Sequence, residues 1–358
     1  MKILFIASEL PPTRSGVALA CGKLIEGYRR HGYTVDVMKR ADFPFRVVGE
    51  FRLSSVLFYW HKLRGKLRDY DIVHLHGPAP TFIDVFLFMI MLTPGKFKHT
   101  SIVYTHQFDI DLPYLSYIGK LYNQLNKRIA SLVCDAIMVT THAYKKNFGR
   151  YSDIYVIPWG CDHKGFKAPF HMKKSMYESR LKVLFVGQMR PYKGLQVLLK
   201  ALVGLDGVDV RIVGSGRLLD HYKAVSKELG LATVEFLGGV SDEELDNIFL
   251  DTHVVVLPSV SRMEAFGIVL LEGMRAGCIP VASLLPGVDE VVGDAGLLFP
   301  PGDYNRLREI LCSLKNDVKL REKLSISARE RSNSFLWEET IKNHCVIFEN
   351  LLRNKGRT

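Results

Sequence analysis

Much of what commonly announces a function is missing from this chain of 358 residues. Its six cysteines, Cys21, Cys134, Cys161, Cys278, Cys312 and Cys345, form no CxxC pair, which excludes zinc-ribbon and thioredoxin-type motifs. Thiols so dispersed read as reduced and packed, and they favour a cytoplasmic location. No apolar run is long enough for a spanning helix; FIDVFLFMIMLT, residues 82–93, is too short and is expected to pack on a sheet. MKILFIASELPP has no small-residue cleavage site and reads as a strand rather than a secretory signal. HExxH, GxSxG and Walker patterns are absent, so zinc protease, serine-elbow hydrolase and P-loop chemistry find no support. Gly214 and Gly216 in RIVGSGRL fall short of a GxGxxG fingerprint because Leu219 holds its last position. They read as a turn in the core.

Acidic residues are also in short supply. Lys and Arg number 48 against 37 Asp and Glu, a formal charge of +11. Such an excess suits a nucleic acid, an anionic membrane or phosphorylated small molecules. No zinc-finger spacing, basic tail or RNA-binding strand pattern occurs, so no nucleic-acid partner is expected. The stretch RLSSVLFYWHKLRGKLRDY interleaves Phe58, Tyr59, Trp60 and Leu63 with Arg52, Lys62, Arg64, Lys66 and Arg68. It reads equally as a peripheral contact with an anionic membrane and as a solvated basic helix face.

What is present is an α/β grammar that runs twice. KILFIAS, YTVDVMK, DIVHLHG, TSIVYTH, DAIMVT and DIYVIP are expected strands of the first half; LKVLFVG, VDVRIVG, TVEFLGG, HVVVLP and CIPVAS are those of the second. Short branched-apolar runs alternating with helical segments predict a largely parallel, covered sheet in each half. The expected organisation is a first Rossmann-like domain over 1–165, a linker over 166–180 and a second such domain over 181–336. A final helix, 337–358, returns to the first domain. The domains are expected to face one another across a cleft.

The most informative run is HVVVLPSVSRMEAFGIVLLEGMRAGCIPVA. VVVLP reads as a buried strand, SVSRMEA as its outgoing loop and FGIVLLEGMRAG as the next helix, which places Glu264 at the helix entrance. Amides around Ala265, Phe266 and Gly267 then point to the carboxyl end of the sheet, where phosphate oxygens are received. Glu264 and Glu272 stand about 80° apart on a helical wheel and share no clean face. Carboxylates there suit sugar hydroxyls. In FVGQMRPYKG, Gly187 turns the chain after a strand, and Arg190 and Lys193 offer cations to a diphosphate. Gly16 opens a helix after ELPPTRS and lets amides approach a phosphate or sugar. His106 ends the strand SIVYTH, where it suits a substrate hydroxyl. His74 and His76 are read as facing opposite sides of their strand and lack partners for a metal site. Asp109 and Asp111 form a DxD string of the kind that can hold a divalent cation on a diphosphate; Arg190 and Lys193 balance the same charge without metal, and that reading is preferred.

Together SGVALACGKLIEGYRRHG, FVGQMRPYKG, FLGGVSDEEL and PSVSRMEAFGIVLLEGMRAGCIPV resemble the retaining glycosyltransferases of family 4, with the GT-B fold. The resemblance covers essentially the whole chain. It implies transfer of a hexosyl unit from a UDP- or GDP-sugar to a glycan or glycolipid acceptor, with no metal or other cofactor. It implies that Glu264, beside the amides of Phe266 and Gly267, holds donor-sugar hydroxyls and that Glu272 grips the ribose. Lys193 and Arg190 would contact the diphosphate, Gly16 would line its far side, and His106 would meet the transferred sugar. Many relatives carry arginine directly after the strand glycine, where this chain has Gln188; Arg190 is then the substitute cation. A same-face mechanism with retention is implied. A nucleotide-sugar epimerase or hydrolase on the same scaffold, and a non-catalytic nucleotide-sugar sensor, are the alternatives.

Overall fold

The structure is a computed structural model. It describes all residues except 14, 49–50, 94, 96, 112–114, 147, 149–152, 163–177 and 357–358. Most of the linker expected at 166–180 therefore lies outside the described residues. The chain divides into two compact units, Met1–Trp159 with Trp337–Thr358, and Gly160–Leu336.

In the first unit, β1 (Lys2–Ala7) leads to α1 (Gly16–Arg30) and β2 (Thr34–Lys39). A two-stranded antiparallel hairpin, β3 (Phe45–Val48) and β4 (Phe51–Ser54), precedes α2 (Trp60–Lys66). Then come β5 (Ile72–Gly77), α3 (Ile83–Met91), β6 (Ser101–His106), α4 (Ser116–Val133), β7 (Ala136–Val139), α5 (His142–Lys145) and β8 (Ile154–Val156). Six strands form one all-parallel sheet in the order β2-β1-β5-β6-β7-β8. The central strands β5 and β6 are buried at every residue, as a sheet covered on both faces requires.

The hairpin takes in the first residues, 52–54, of what the sequence read as one basic segment. Its strands are four residues each, too short to show a period. The helix that follows buries Trp60 and Leu63 and leaves Lys62, Arg64 and Lys66 exposed, so a basic face is present.

One expectation is overturned in this sheet. His74 and His76 lie on the same face of β5, because residues two apart along a pleated strand point the same way. Their rings stand 4.1 Å apart, and His76 Nε2 lies 3.3 Å from His74 Nδ1. Both join a buried network in which His74 Nε2 meets the Thr105 hydroxyl at 2.7 Å and the Tyr28 hydroxyl meets His344.

His344 belongs to α13 (Trp337–Asn354), the last helix, which packs in this unit against α1. Contact is close because Gly27 has no side chain. A Cβ there would sit 2.3 Å from Ile341 Cδ1. Tyr28 and Phe348 meet edge to face at 5.3 Å.

The second unit contains β9 (Leu181–Val186), α6 (Leu195–Leu202), β10 (Val208–Val213), α7 (Leu219–Glu228), β11 (Val234–Gly238) and α8 (Asp242–Leu250). It continues with β12 (Val254–Leu257), α9 (Ile268–Arg275), β13 (Ile279–Ser283), α10 (Val288–Val292) and β14 (Leu297–Phe299). It ends with α11 (Tyr304–Asn316) and α12 (Val318–Ser332). The sheet is again parallel, in the order β11-β10-β9-β12-β13-β14. Edge strand β14, only three residues long, escaped the sequence reading. A capping box starts α8: the Ser241 hydroxyl accepts from Glu244 N at 3.2 Å, and Ser241 N donates to the Glu244 carboxylate at 2.8 Å.

The core of this unit joins Val183, Phe185, Val210, Ile212, Val254, Val256, Ile279 and Val281 with the inward faces of α6, α11 and α12. Each such side chain, fully buried, contributes roughly 1.5–3 kcal/mol. That burial holds the strand ends, and thus the loops beyond them, in fixed register. No helix among the described residues is long and apolar enough to cross a membrane.

Candidate active site

In the second unit, β10 follows β9 on one side while β12 flanks β9 on the other, so the strand order reverses between β9 and β12. Helices leave the sheet in opposite directions at such a point and open a crevice at the carboxyl ends of the strands. Three loops meet there. The loop after β9 carries Gly187, Gln188, Arg190 and Lys193; that after β10 carries Gly214 and Gly216; that after β12 runs from Pro258 to Gly267.

The loops interlock through their backbones. Met189 N donates to Ser215 O at 2.9 Å, and Val260 N donates to Tyr192 O at 2.8 Å. Gly194 has φ +68, and a Cβ on it would fall 1.9 Å from Pro258 O. Gly214 is as tight, with its Cβ position 1.9 Å from Gly187 O. Only glycine permits both the left-handed backbone and these approaches.

The result is a direct pairing of Lys193 with Glu264. Lys193 Nζ lies 2.5 Å from Glu264 Oε2, with side-chain exposures of 18% and 10%. The Ser259 hydroxyl donates to the same oxygen at 3.3 Å. Burial works against the charge on Lys193, but the Glu264 carboxylate outweighs it and the pKa is raised. The Tyr192 ring lies 5.4 Å from the ammonium. Arg190 is half-buried at the entrance to the same turn, close enough for its charge to oppose that of Lys193.

The entrance to α9 differs from the sequence reading. The helix begins at Ile268, and Gly267, with φ +79, caps it. Glu264, Ala265 and Phe266 are buried residues of the loop before it, and Glu264 N donates to Ser261 O at 3.0 Å. The helix starts late because left-handed Gly267 breaks the helical path between Phe266 and Ile268. Glu264 and Glu272 therefore do not share a helix. Glu272 sits half-buried on α9, which presses on β12 so closely that a Cβ at Gly273 would lie 2.6 Å from Val255 Cγ2.

In the first unit, Gly16 is the first residue of α1. The Ser15 hydroxyl caps the helix by accepting from Ala18 N at 3.1 Å, and donates to the Glu9 carboxylate at 2.7 Å. His106 ends β6 and is fully buried. Its Nε2 lies 3.0 Å from Asp109 Oδ1, which Lys127 Nζ approaches to 2.6 Å. The Tyr104 hydroxyl stands 3.4 Å from His106 Nδ1, and the Phe148 ring packs at 5.1 Å. Burial lowers the His106 pKa although Asp109 opposes it. Burial would raise Asp109, but the hydrogen bond from His106 and the charge of Lys127 bring it down to about 2. Asp109 is thus an ionised internal partner. Among the described residues, no three His, Cys, Asp or Glu side chains converge as metal ligands would.

Sequence reasoning missed Ser259 and Lys127. Ser259 follows LP at the end of β12, where a hydroxyl has reason to face a ligand; Lys127 gives no sign in a helix of ordinary composition.

Residues 167–331 match the family described as glycosyl transferases group 1. The chain is 31% identical over 361 residues to the D-rhamnosyltransferase WbpZ of Pseudomonas aeruginosa, covering 92% of this chain and 91% of that protein. It is 28% identical over 386 residues to the O-antigen chain mannosyltransferase C of Escherichia coli, covering 99% of this chain and all of the relative. Its fold is similar to the Anabaena HepE protein in complex with UDP and glucose, with a TM-score of 0.73, 20% identity and coverage of 98% and 100%. The chain belongs to the glycosyl transferases group 1, the family-4 glycosyltransferases of GT-B fold, and is a glycosyltransferase.

Proposed function

We propose that the enzyme transfers a hexosyl unit from a UDP- or GDP-sugar to a hydroxyl of a glycan or glycolipid, with retention at the anomeric carbon. The observation that carries the donor reading is the Lys193–Glu264 pair at the switch point between β9 and β12. A cation, a carboxylate and loop amides gathered there match the two ends of a nucleotide sugar. Lys193 turns to the diphosphate when the donor enters, joined by Arg190, and Gly187 lets the chain approach. Glu264 then accepts hydrogen bonds from sugar hydroxyls beside the amides of Ala265, Phe266 and Gly267, while Glu272 holds the ribose and Gly16 lines the phosphate side.

The leaving diphosphate gains negative charge as its bond to the sugar breaks, and Lys193 and Arg190 stabilise that charge. A phosphate oxygen takes the acceptor proton on the same face, which accounts for retention. His106 is the acceptor-side group, its ring fixed by Asp109 and Tyr104. No metal takes part in this scheme. The similarity to an O-antigen chain mannosyltransferase supports an envelope glycan as acceptor. The reading includes a cytoplasmic enzyme in peripheral contact with an anionic membrane.

The test is binding of UDP-, GDP-, ADP- and dTDP-sugars with EDTA present. It is followed by transfer to glycan acceptors with the anomeric configuration read by NMR. Saturation by a UDP- or GDP-sugar and a retained anomer is expected. Binding only when manganese is restored, or an inverted product, overturns the corresponding part.

A further inference from the structure

The helix α4 is built the wrong way round for a core helix. Its buried positions are small or polar: Gly119, Asn126, Lys127, Ala130 and Ser131. Its large apolar residues point outward. Tyr117, Ile118, Leu121, Leu125 and Leu132 are between 52% and 78% exposed. At 100° per residue they fill one arc of about 100°, the width of a stripe that normally meets a core.

Polar contacts take the place of apolar burial in holding this helix. Asn126 Nδ2 donates to Asp84 Oδ1 at 2.9 Å, and the Tyr104 hydroxyl donates to Asn126 Oδ1 at 3.0 Å. Tyr122 donates to the same Asp84 carboxylate, Lys127 pairs with Asp109, and Asn123 bonds both ways with the Ile110 backbone. The outward stripe is therefore not needed to attach α4. Asp84 lies on α3, which exposes the apolar Phe88 and is followed by the exposed Leu92. On its other side α3 meets α2, where the rings of Trp60 and Phe86 stand 6.3 Å apart. Phe58, just before α2, is 81% exposed.

We infer that the outer face of α3 and α4, with the basic turns of α2 beside it, is a docking surface for an anionic lipid bilayer. Charge selects this occupant. Residues 57–132 contain nine Lys and Arg, five Asp and no Glu; with Asp84, Asp109 and Lys127 used inside to hold α4, eight cations and three Asp are left. Lys120 and Arg128 are exposed on the same helix. Cations around an apolar stripe suit acyl chains below and lipid phosphates at the rim. A second copy of this chain would bring the same cations face to face across a two-fold axis, which opposes association. The surface deepens the membrane contact in the reading above.

Vesicle binding without donor or acceptor separates this inference from the fate of the transfer reaction. The full chain is sedimented with phosphatidylglycerol–phosphatidylcholine vesicles and with phosphatidylcholine alone. Binding only to the anionic vesicles is expected, weakened about tenfold in Leu121→Gln/Leu125→Gln as two half-exposed leucines lose their lipid contacts. Neutralising Lys62, Arg64, Lys66 and Arg68 weakens it further. Donor affinity and melting temperature, both unchanged in the leucine variant, exclude misfolding. Undiminished binding in that variant, or no preference for anionic vesicles, overturns the inference. A concentration-dependent dimer abolished by the leucine changes, with no vesicle binding, overturns it in favour of self-association.

Discussion

If Lys193 must leave Glu264 to meet the diphosphate, removing the carboxylate charge should tighten nucleotide binding while damaging transfer. Glu264→Gln keeps the side-chain size and an oxygen for Lys193 to donate to, and removes only the charge. The pair is 2.5 Å apart with 18% and 10% exposure, so solvent screens it weakly. Exchanging this partner for a diphosphate costs the wild type roughly 1–2 kcal/mol after relaxation, far below the bare Coulomb energy. The variant avoids that cost and also loses the repulsion between Glu264 and the phosphates. Its affinity for the free nucleoside diphosphate should rise roughly five- to thirtyfold. Turnover should fall, because the sugar hydroxyls lose a charged acceptor. Isothermal titration with UDP and with GDP in EDTA, on protein whose melting shows the second unit folded, reads the effect. Equal or weaker nucleotide affinity in the folded variant would show that Lys193 does not serve the diphosphate, and the site as proposed would fail.

Acid should weaken the first unit. Burial, reinforced by neighbouring imidazoles at His74 and His76, lowers the pKa of His74, His76 and His344, the last to about 3. Their stabilisation is complete above the unfolded value of 6.5 and is lost as pH falls below it, because the unfolded chain takes up protons that the buried network refuses. Each contributes a slope of about 1.4 kcal/mol per pH unit, so melting temperature should drop between pH 7 and 5.5; a flat profile would refute the neutral network. Gly194→Ala forces a side chain toward Pro258 O at a left-handed position. It should lower stability by roughly 2 kcal/mol or more and weaken donor binding, checked by urea unfolding and titration. Glu272→Ala should raise the donor Kd roughly tenfold, whereas His106→Ala should lower transfer with donor already bound; wild-type values in both variants would remove these roles.

The sequence by itself determined the repeated α/β grammar, because branched-apolar runs between helical segments allow little besides covered parallel sheets. It also placed Gly187, Lys193 and Glu264 in the loops that follow β9 and β12, because each stands shortly after a branched-apolar run. What it could not decide was mutual placement. Lys193 and Glu264 are 71 positions apart, and only the strand order that puts β9 beside β12 brings their charges together. The start of α9 depended on Gly267 adopting a left-handed backbone, which composition permits without requiring. Asp109, the first residue of an apparent metal-binding string, became an internal ion when α4 brought Lys127 to it. The apolar stripe of α4 is legible in its spacing, but its direction is not. Amphipathic spacing shows that a helix has an apolar side, and only packing decides whether that side meets the core or stays outside. Here Asp84, Asn126 and Tyr104 occupy the inward side, and the leucines are left to the surface.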